Sequence, residues 1–191
     1  MLLSLFTLIV GTLCDLLALA FLARFAMQWA QVPFRNPLGR FVIAATDWAV
    51  KPARRLVPGL FGLDLASFLL AWLLQATYVA IVIGISGLYG GATASGLGVA
   101  ALAGLVETLR LSIYLAIGAV IMAALLSWVN PYAPLAPLFN QLAQPLLRPV
   151  QRLIPPIGGV DLSPLVVLLL LQALLVALGF GRAALLPLFA P

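Results

Sequence analysis

The sequence predicts an all-α membrane protein with four transmembrane helices. They come from two tandem parallel repeats, each a span, an amphipathic cytoplasmic hairpin and a second span. Three observations carry that prediction. Hydrophobic residues make up 64% of the chain and charged residues 8%; soluble domains average roughly 45–50% and 25%, so most of this surface has to meet lipid. No residue from Leu65 to Val106 is charged, a run well beyond the ~20 residues that cross a bilayer. Finally, one stretch occurs twice, as KPARRLVPGLFGLDLA from Lys51 and as RPVQRLIPPIGGVDLS from Arg148.

An offset of 97 places Arg148, Pro149, Arg152, Pro155, Asp161 and Gln172 on Lys51, Pro52, Arg55, Pro58, Asp64 and Gln75. Upstream, an offset of 99 places Trp128 on Trp29. The shared order of base, Pro, Arg, Pro and Asp, each time entering an apolar run, marks a duplicated unit. The first copy covers 1–89 and the second 90–191.

The first span is expected over about 2–24, continuing toward Trp29. It is no cleavable signal, because no base precedes the apolar run and Asp15 sits within it. The first hairpin, 31–64, carries Arg35, Arg40, Lys51, Arg54 and Arg55. Asn36-Pro37 gives it a capped helix start. Leu38, Phe41, Val42, Ala45 and Trp48 then share one face of a helix suited to the headgroup plane. The second span is expected over about 65–86, followed by a Gly/Ser-rich turn from Gly87 to Gly96.

A long helix is expected from near Leu97 to Trp128, its membrane part at about 111–129, with Glu107 and Arg110 paired one turn apart at the outer edge. Gly96-Leu97-Gly98-Val99-Ala100-Ala101 fits a dinucleotide-binding pattern by coincidence, since no strand precedes it. The second hairpin, 130–163, repeats the amphipathic design with Leu135, Leu138, Phe139, Leu142 and Leu146. Pro145 is expected to kink or end that helix, and Pro149 to begin a short turn carrying Arg148 and Arg152. The fourth span covers about 164–181, with Ser163-Pro164 as its cap.

Bases concentrate in the two hairpins, which the positive-inside rule places in the cytoplasm, with both termini outside. The copies then insert in one direction, related by an axis along the membrane normal. Ala76, Ala80 and Gly84 match Ala173, Ala177 and Gly181. These small-residue ladders predict that spans two and four cross near that axis.

Four polar residues are candidates for work inside the membrane. Gln75 and Gln172 each lie eleven residues past their Asp, about 16 Å along a helix. They are expected to bond each other or a neighbouring carbonyl. Asp15 lies nine residues before Arg24, so about 13 Å deep. A carboxyl there costs on the order of 3 kcal/mol and by default marks a function. Its counterpart Tyr114 could donate to it. Either Asp15 is neutral and hydrogen-bonded to Tyr114 or a glutamine, or it belongs to a cation or proton path.

The hairpin bases Lys51, Arg54, Arg55, Arg148 and Arg152 admit three uses that can coexist: anionic lipid phosphates, internal pairs with Asp64 or Asp161, and a docking surface for a protein partner. Pro58, Pro155, Pro156 and Gly158 shape the turns that would bring each Asp back. The net charge of +5 suits insertion and lipid headgroups better than nucleic acid.

Several function classes are disfavoured. There is no histidine, which removes most zinc sites and imidazole-based catalysis. Cys14 is the only cysteine and cannot form an internal disulfide. No P-loop, metal cluster or catalytic dyad is present, so no enzyme activity, cofactor or metal is expected.

The blocks PLLRPVQRLIPPIGGVDLSP and the Trp…Asn-Pro segments, with their weaker first copies, resemble the YggT (YlmG-related) family of small bacterial and plastid membrane proteins from about Arg24 through Gln172. In the first copy the double Pro becomes Pro58-Gly59, and Ala66-Ser67 replaces Ser-Pro. The resemblance implies a bacterial inner-membrane protein without established enzymatic activity. It further implies association with osmotic-stress tolerance and potassium homeostasis, with cell division and envelope organisation, or with complex assembly. Two readings follow. One is a non-catalytic adaptor whose basic hairpins recruit lipid or a partner protein. The other is a small cation pathway, or regulator of one, at Asp15, Gln75, Gln172 and Tyr114, which needs a homo-oligomer.

Overall fold

A computed structural model describes residues 2–57, 59, 63–86, 94–153 and 161–185, with side chains of 86, 94, 95 and 181–185 excepted. Pro58, Pro155, Pro156, Gly158 and most of the Gly87–Gly96 turn lie outside the described residues. Helices α1 (Leu2–Trp29), α3 (Leu65–Ser86), α4 (Ala94–Val129) and α6 (Ser163–Leu185) are apolar on every face, and each contains a segment long and apolar enough to cross a membrane. Helices without a polar stripe belong in lipid, and the chain is a multi-pass, all-α membrane protein. Between the spans of each half lies one amphipathic helix, α2 (Pro37–Leu56) or α5 (Ala136–Leu153). The order span, amphipathic helix, span therefore occurs twice.

Local chemistry explains the shorter helices. Asn36 caps α2, its Oδ1 accepting from Gly39 N at 2.7 Å, with Pro37 at the first helical position. Its apolar residues divide between two surroundings. Val42 and Val50 are buried with Thr46, while Phe41 and Trp48 are about two-thirds exposed. The expected single stripe is thus split, because α2 must pack on α1 and α3 and also present apolar groups to the membrane surface. Helix α5 runs on through Pro145 and Pro149 to Leu153, correcting the expectation of a break or a new turn there. Proline costs a helix chiefly through an orphaned carbonyl four residues back, and Gln141, four residues before Pro145, is exposed to solvent.

Helix α4 is the centre of the bundle, touching α1, α3, α5 and α6. At 36 residues it is about 54 Å long, more than the ~30 Å of bilayer hydrocarbon. The predicted crossing of spans two and four is not the main packing. Helix α3 packs on α1 and α4, and α6 packs on α4 and α5. Ala76 meets α4 instead: a Cβ added at Gly104 would lie 2.5 Å from the Ala76 Cα, whereas one at Gly84 would meet nothing within 4 Å. Ala173 and Ala177 are exposed. The ladder of α3 is used at one rung, against a glycine on a different span.

Gly104→Ala is accordingly expected to destabilise the detergent-solubilised protein by about 1–3 kcal/mol, the usual penalty of overpacking. Gly84→Ala should be neutral or slightly stabilising. Thermal unfolding of the pair checks this; equal midpoints would mean the α3–α4 contact is loose.

Both connections lie at one end of the bundle. Met27 and Val32 share a buried cluster with Leu138, flanked by Phe34, Leu38, Phe139 and Leu142. Leu38 of α2 and Leu138 of α5 thus meet at the end of α1.

Candidate functional site

At that end the first copy assembles a charge cluster around Arg24, whose residue is 6% exposed. Its position follows from α1 continuing past the apolar run to Trp29, which carries the guanidinium to the level of α2. Arg24 Nη1 donates to Thr46 Oγ1 at 2.8 Å and to Asp47 Oδ1 at 2.7 Å, and its Nε lies 3.4 Å from Asp64 Oδ2. Thr46 Oγ1 in turn donates to the Val42 carbonyl at 2.6 Å. Arg54 clamps the other side of Asp64 with Nη2 to Oδ2 at 2.6 Å and Nε to Oδ1 at 3.2 Å, and Ser67 Oγ donates to Oδ2 at 2.7 Å. Lys51 pairs with Asp47 at 2.8 Å, one turn apart on α2. One guanidinium thus bridges two acids from two elements, and the cluster fastens α1, α2 and the start of α3 together.

The two acids stay ionised for stated reasons. Hydrogen bonds from Lys51 and then Arg24 hold Asp47 below the ordinary carboxylate range. Burial pushes Asp64 upward, but the bonds from Arg54 and Ser67, with the charges of Arg54 and Arg24, outweigh it and leave Asp64 lowered. A carboxyl with a depressed folded pKa contributes stability that is complete above its unfolded value and is lost as pH falls through the folded one. The thermal midpoint in detergent should therefore be flat from pH 8 to about 5 and drop below about pH 4. A midpoint already falling between pH 7 and 6 would contradict ionised Asp47 and Asp64.

The matching acid of the second half has neither of the two guanidinium groups that hold Asp64. Asp161 accepts from Gln151 Nε2 at 2.8 Å and from Ser163 N at 2.8 Å. Gln151 is ten residues before its Asp, just as Arg54 is ten before Asp64, so a neutral amide stands where the first copy has a guanidinium. Burial raises Asp161 while the Ser163 and Gln151 bonds lower it, and the net effect is downward. The counterpart of Arg24 is Ala123, buried among Val120, Ala143 and Val167; that of Asp47 is Gln144. Arg148 and Arg152 are exposed, and neither is paired with an acid among the described residues.

Of the hairpin bases offered for internal pairs, only Arg54 reaches its acid: Asp64 takes Arg54, joined by Arg24, and not Lys51 or Arg55, while Asp161 takes Gln151 rather than Arg148 or Arg152. The helical register decides this: position 54, ten residues before the Asp, faces the following span, and positions 51 and 55 do not. Arg55 is exposed.

Inside the membrane the four polar candidates do not converge. Gln75, buried to 1%, donates from Nε2 to Asp15 Oδ1 at 2.8 Å. Gln172 lies exposed on α6, because α6 packs on α4 and α5 rather than on α1 and α3, which carry the Asp15–Gln75 pair. Tyr114 is 45% exposed and its hydroxyl lies 3.4 Å from the Arg110 guanidinium, itself 3.4 Å from Glu107. Of the two partners expected for Asp15 the structure gives it the glutamine, Gln75, rather than Tyr114, and Gln75 does not bond Gln172. Asp15→Asn keeps an acceptor for Gln75 and should shift the unfolding free energy by less than about 0.5 kcal/mol; a loss of several kcal/mol would show that the charge itself is required there.

Arg24, Thr46 and Asp47 were not expected at the centre of a site. The available signal was a base ending an apolar run, with an acid two helical elements later to neutralise it.

The comparisons with known proteins agree over most of the chain. The model of the CCB3/YggT family matches residues 3–85 and 102–180. The protein named YggT of Escherichia coli (strain K12) is 32% identical over 169 residues, covering 88% of this chain and 86% of its own. A Pseudomonas aeruginosa protein is 38% identical over 166 residues, 86% of this chain and 83% of its own. One from Haemophilus influenzae is 35% identical over 171 residues, 86% of both chains. No solved structure matches.

Proposed function

The chain belongs to the CCB3/YggT family, and on that footing we propose that it is a non-enzymatic membrane adaptor. It sits in the bacterial inner membrane with its hairpin end in the cytoplasm and both termini outside. There it organises an envelope process by holding anionic lipid or a partner protein against α5. One observation carries this reading. Arg148 and Arg152 are exposed on successive turns without a bonded acid among the described residues, while Lys51 and Arg54 of the first hairpin are taken up by Asp47 and Asp64. The first hairpin uses Lys51 and Arg54 to fasten the bundle and leaves Arg55 exposed, whereas the second leaves both Arg148 and Arg152 exposed. The tandem origin of the halves is supported by the repeated order of elements, the shared ten-residue reach to each Asp, and a family model that matches in two stretches.

The cation-pathway reading has less support, since Asp15 and Gln75 meet without Gln172 or Tyr114. The adaptor reading is tested by a photo-crosslinking residue at position 152 in native membranes, compared with one at position 48. Position 152 should capture a defined lipid or protein adduct that disappears on Arg148→Glu. Identical capture patterns at the two positions would remove the proposal.

A further inference from the structure

Where the first copy is filled, the second is open. In copy one Arg24 bridges Asp47 and Asp64, and the rings of Phe25 and Phe68 pack with centroids 5.6 Å apart. The same offsets put Ala123, Ala124 and Leu165 at positions 24, 25 and 68. A cavity of about 440 Å³ occupies that space, bordered by Ala123, Ala124, Leu165 and Leu168 from the spans, with Ser127, Asn140, Gln151 and Asp161 as its polar lining. Its size is within the ~300–1,000 Å³ of small-ligand sites.

Its chemistry is specific. Asp161 has two neutral donors and no cation, whereas its counterpart Asp64 has two guanidinium groups. What is missing at Asp161 is a positive, hydrogen-bond-donating group. Leu147 and Gln151 line the cavity, and each is followed on α5 by an exposed arginine, Arg148 or Arg152, with no bonded acid among the described residues. The wall is continuous with membrane-facing side chains: Leu165 is 58% and Trp128 76% exposed. An occupant must therefore present an ammonium to Asp161, an anion to the two arginines and hydrocarbon to the spans. A partner protein's arginine satisfies only the first of these requirements.

We propose that this cavity is a headgroup site for a zwitterionic aminophospholipid. The primary ammonium sits on Asp161, the phosphate between Arg148 and Arg152, and the acyl chains leave along Leu165 and Leu168. The proposal deepens the adaptor reading, on which it rests for the two bases. It can fail separately, because selectivity among lipids is set by Asp161 and the cavity, while the requirement for Arg148 and Arg152 is not.

The full-length protein, equilibrated with equimolar phosphatidylethanolamine, phosphatidylcholine and phosphatidylglycerol, is released from detergent into a native mass spectrometer. Phosphatidylethanolamine should be retained above both others, since the quaternary amine of phosphatidylcholine has no N–H to donate. Asp161→Asn, at an exposed position, should lower the phosphatidylethanolamine:phosphatidylglycerol ratio about tenfold, as expected for one charge-assisted bond. Ala123→Arg, which supplies a guanidinium from within, should abolish the preference. Equal retention of the three lipids by the unaltered protein would overturn the proposal. So would an unchanged ratio in Asp161→Asn, or a second copy of the chain bound in place of lipid.

Discussion

Arg24→Ala is expected to cost about 3–5 kcal/mol of stability in detergent, the largest single-residue effect in the chain. Removing one partner of a buried ion pair leaves the other charge buried without compensation, and Arg24 has two such partners. Asp64 is 2% exposed and would keep only Arg54 and Ser67, while Thr46 would lose its donor. Arg24→Lys should recover no more than half of the loss, because a single ammonium cannot replicate a guanidinium fork that reaches acids on two elements. Chemical unfolding of the three proteins checks the ordering. A loss below about 1 kcal/mol for Arg24→Ala would mean that water reaches the cluster and its pairs behave as surface ones.

The second large effect concerns binding rather than folding. The double variant Arg148→Gln/Arg152→Gln should leave unfolding within about 0.5 kcal/mol, since both side chains are exposed and unpaired. It should reduce the enrichment of anionic lipid around the protein roughly 30-fold, from ~1 kcal/mol per base at a charged membrane surface. Fluorescence quenching by labelled phosphatidylglycerol in nanodiscs measures it. The same exchange at Lys51 and Arg54 should do the reverse: a modest change in lipid contact, and destabilisation through loss of the Asp47 and Asp64 pairs.

Much of the fold was readable from composition and spacing because membrane helices follow local rules. Four apolar runs and two amphipathic segments, the first capped by Asn36, follow from residues close in sequence; the third run is apolar over Gly96–Val129, longer than the 111–129 expected to lie in the membrane. Which spans are neighbours was not readable, since lipid imposes no pattern that distinguishes one helix face from another. Ala76 and Gly104 show this: the ladder was visible, but its partner on α4 was not. Depth arithmetic put Asp15 and Gln75 inside the membrane, and side-by-side packing of α1 and α3 then decided that they meet. Arg24 read as an edge residue because its role depends on α2 folding back over the end of α1, a tertiary event. The difference between the copies, by contrast, was present in the aligned stretches as Arg54 against Gln151, and only the geometry gives it meaning.

Most direct is amide hydrogen exchange on the full-length protein in nanodiscs with and without anionic lipid, read over residues 51–57 and 148–153. The adaptor reading predicts that 51–57 is protected in both, held by the Arg24 cluster, while 148–153 is less protected in discs of phosphatidylcholine alone and gains protection when anionic lipid is added. Equal responses of the two segments would contradict it.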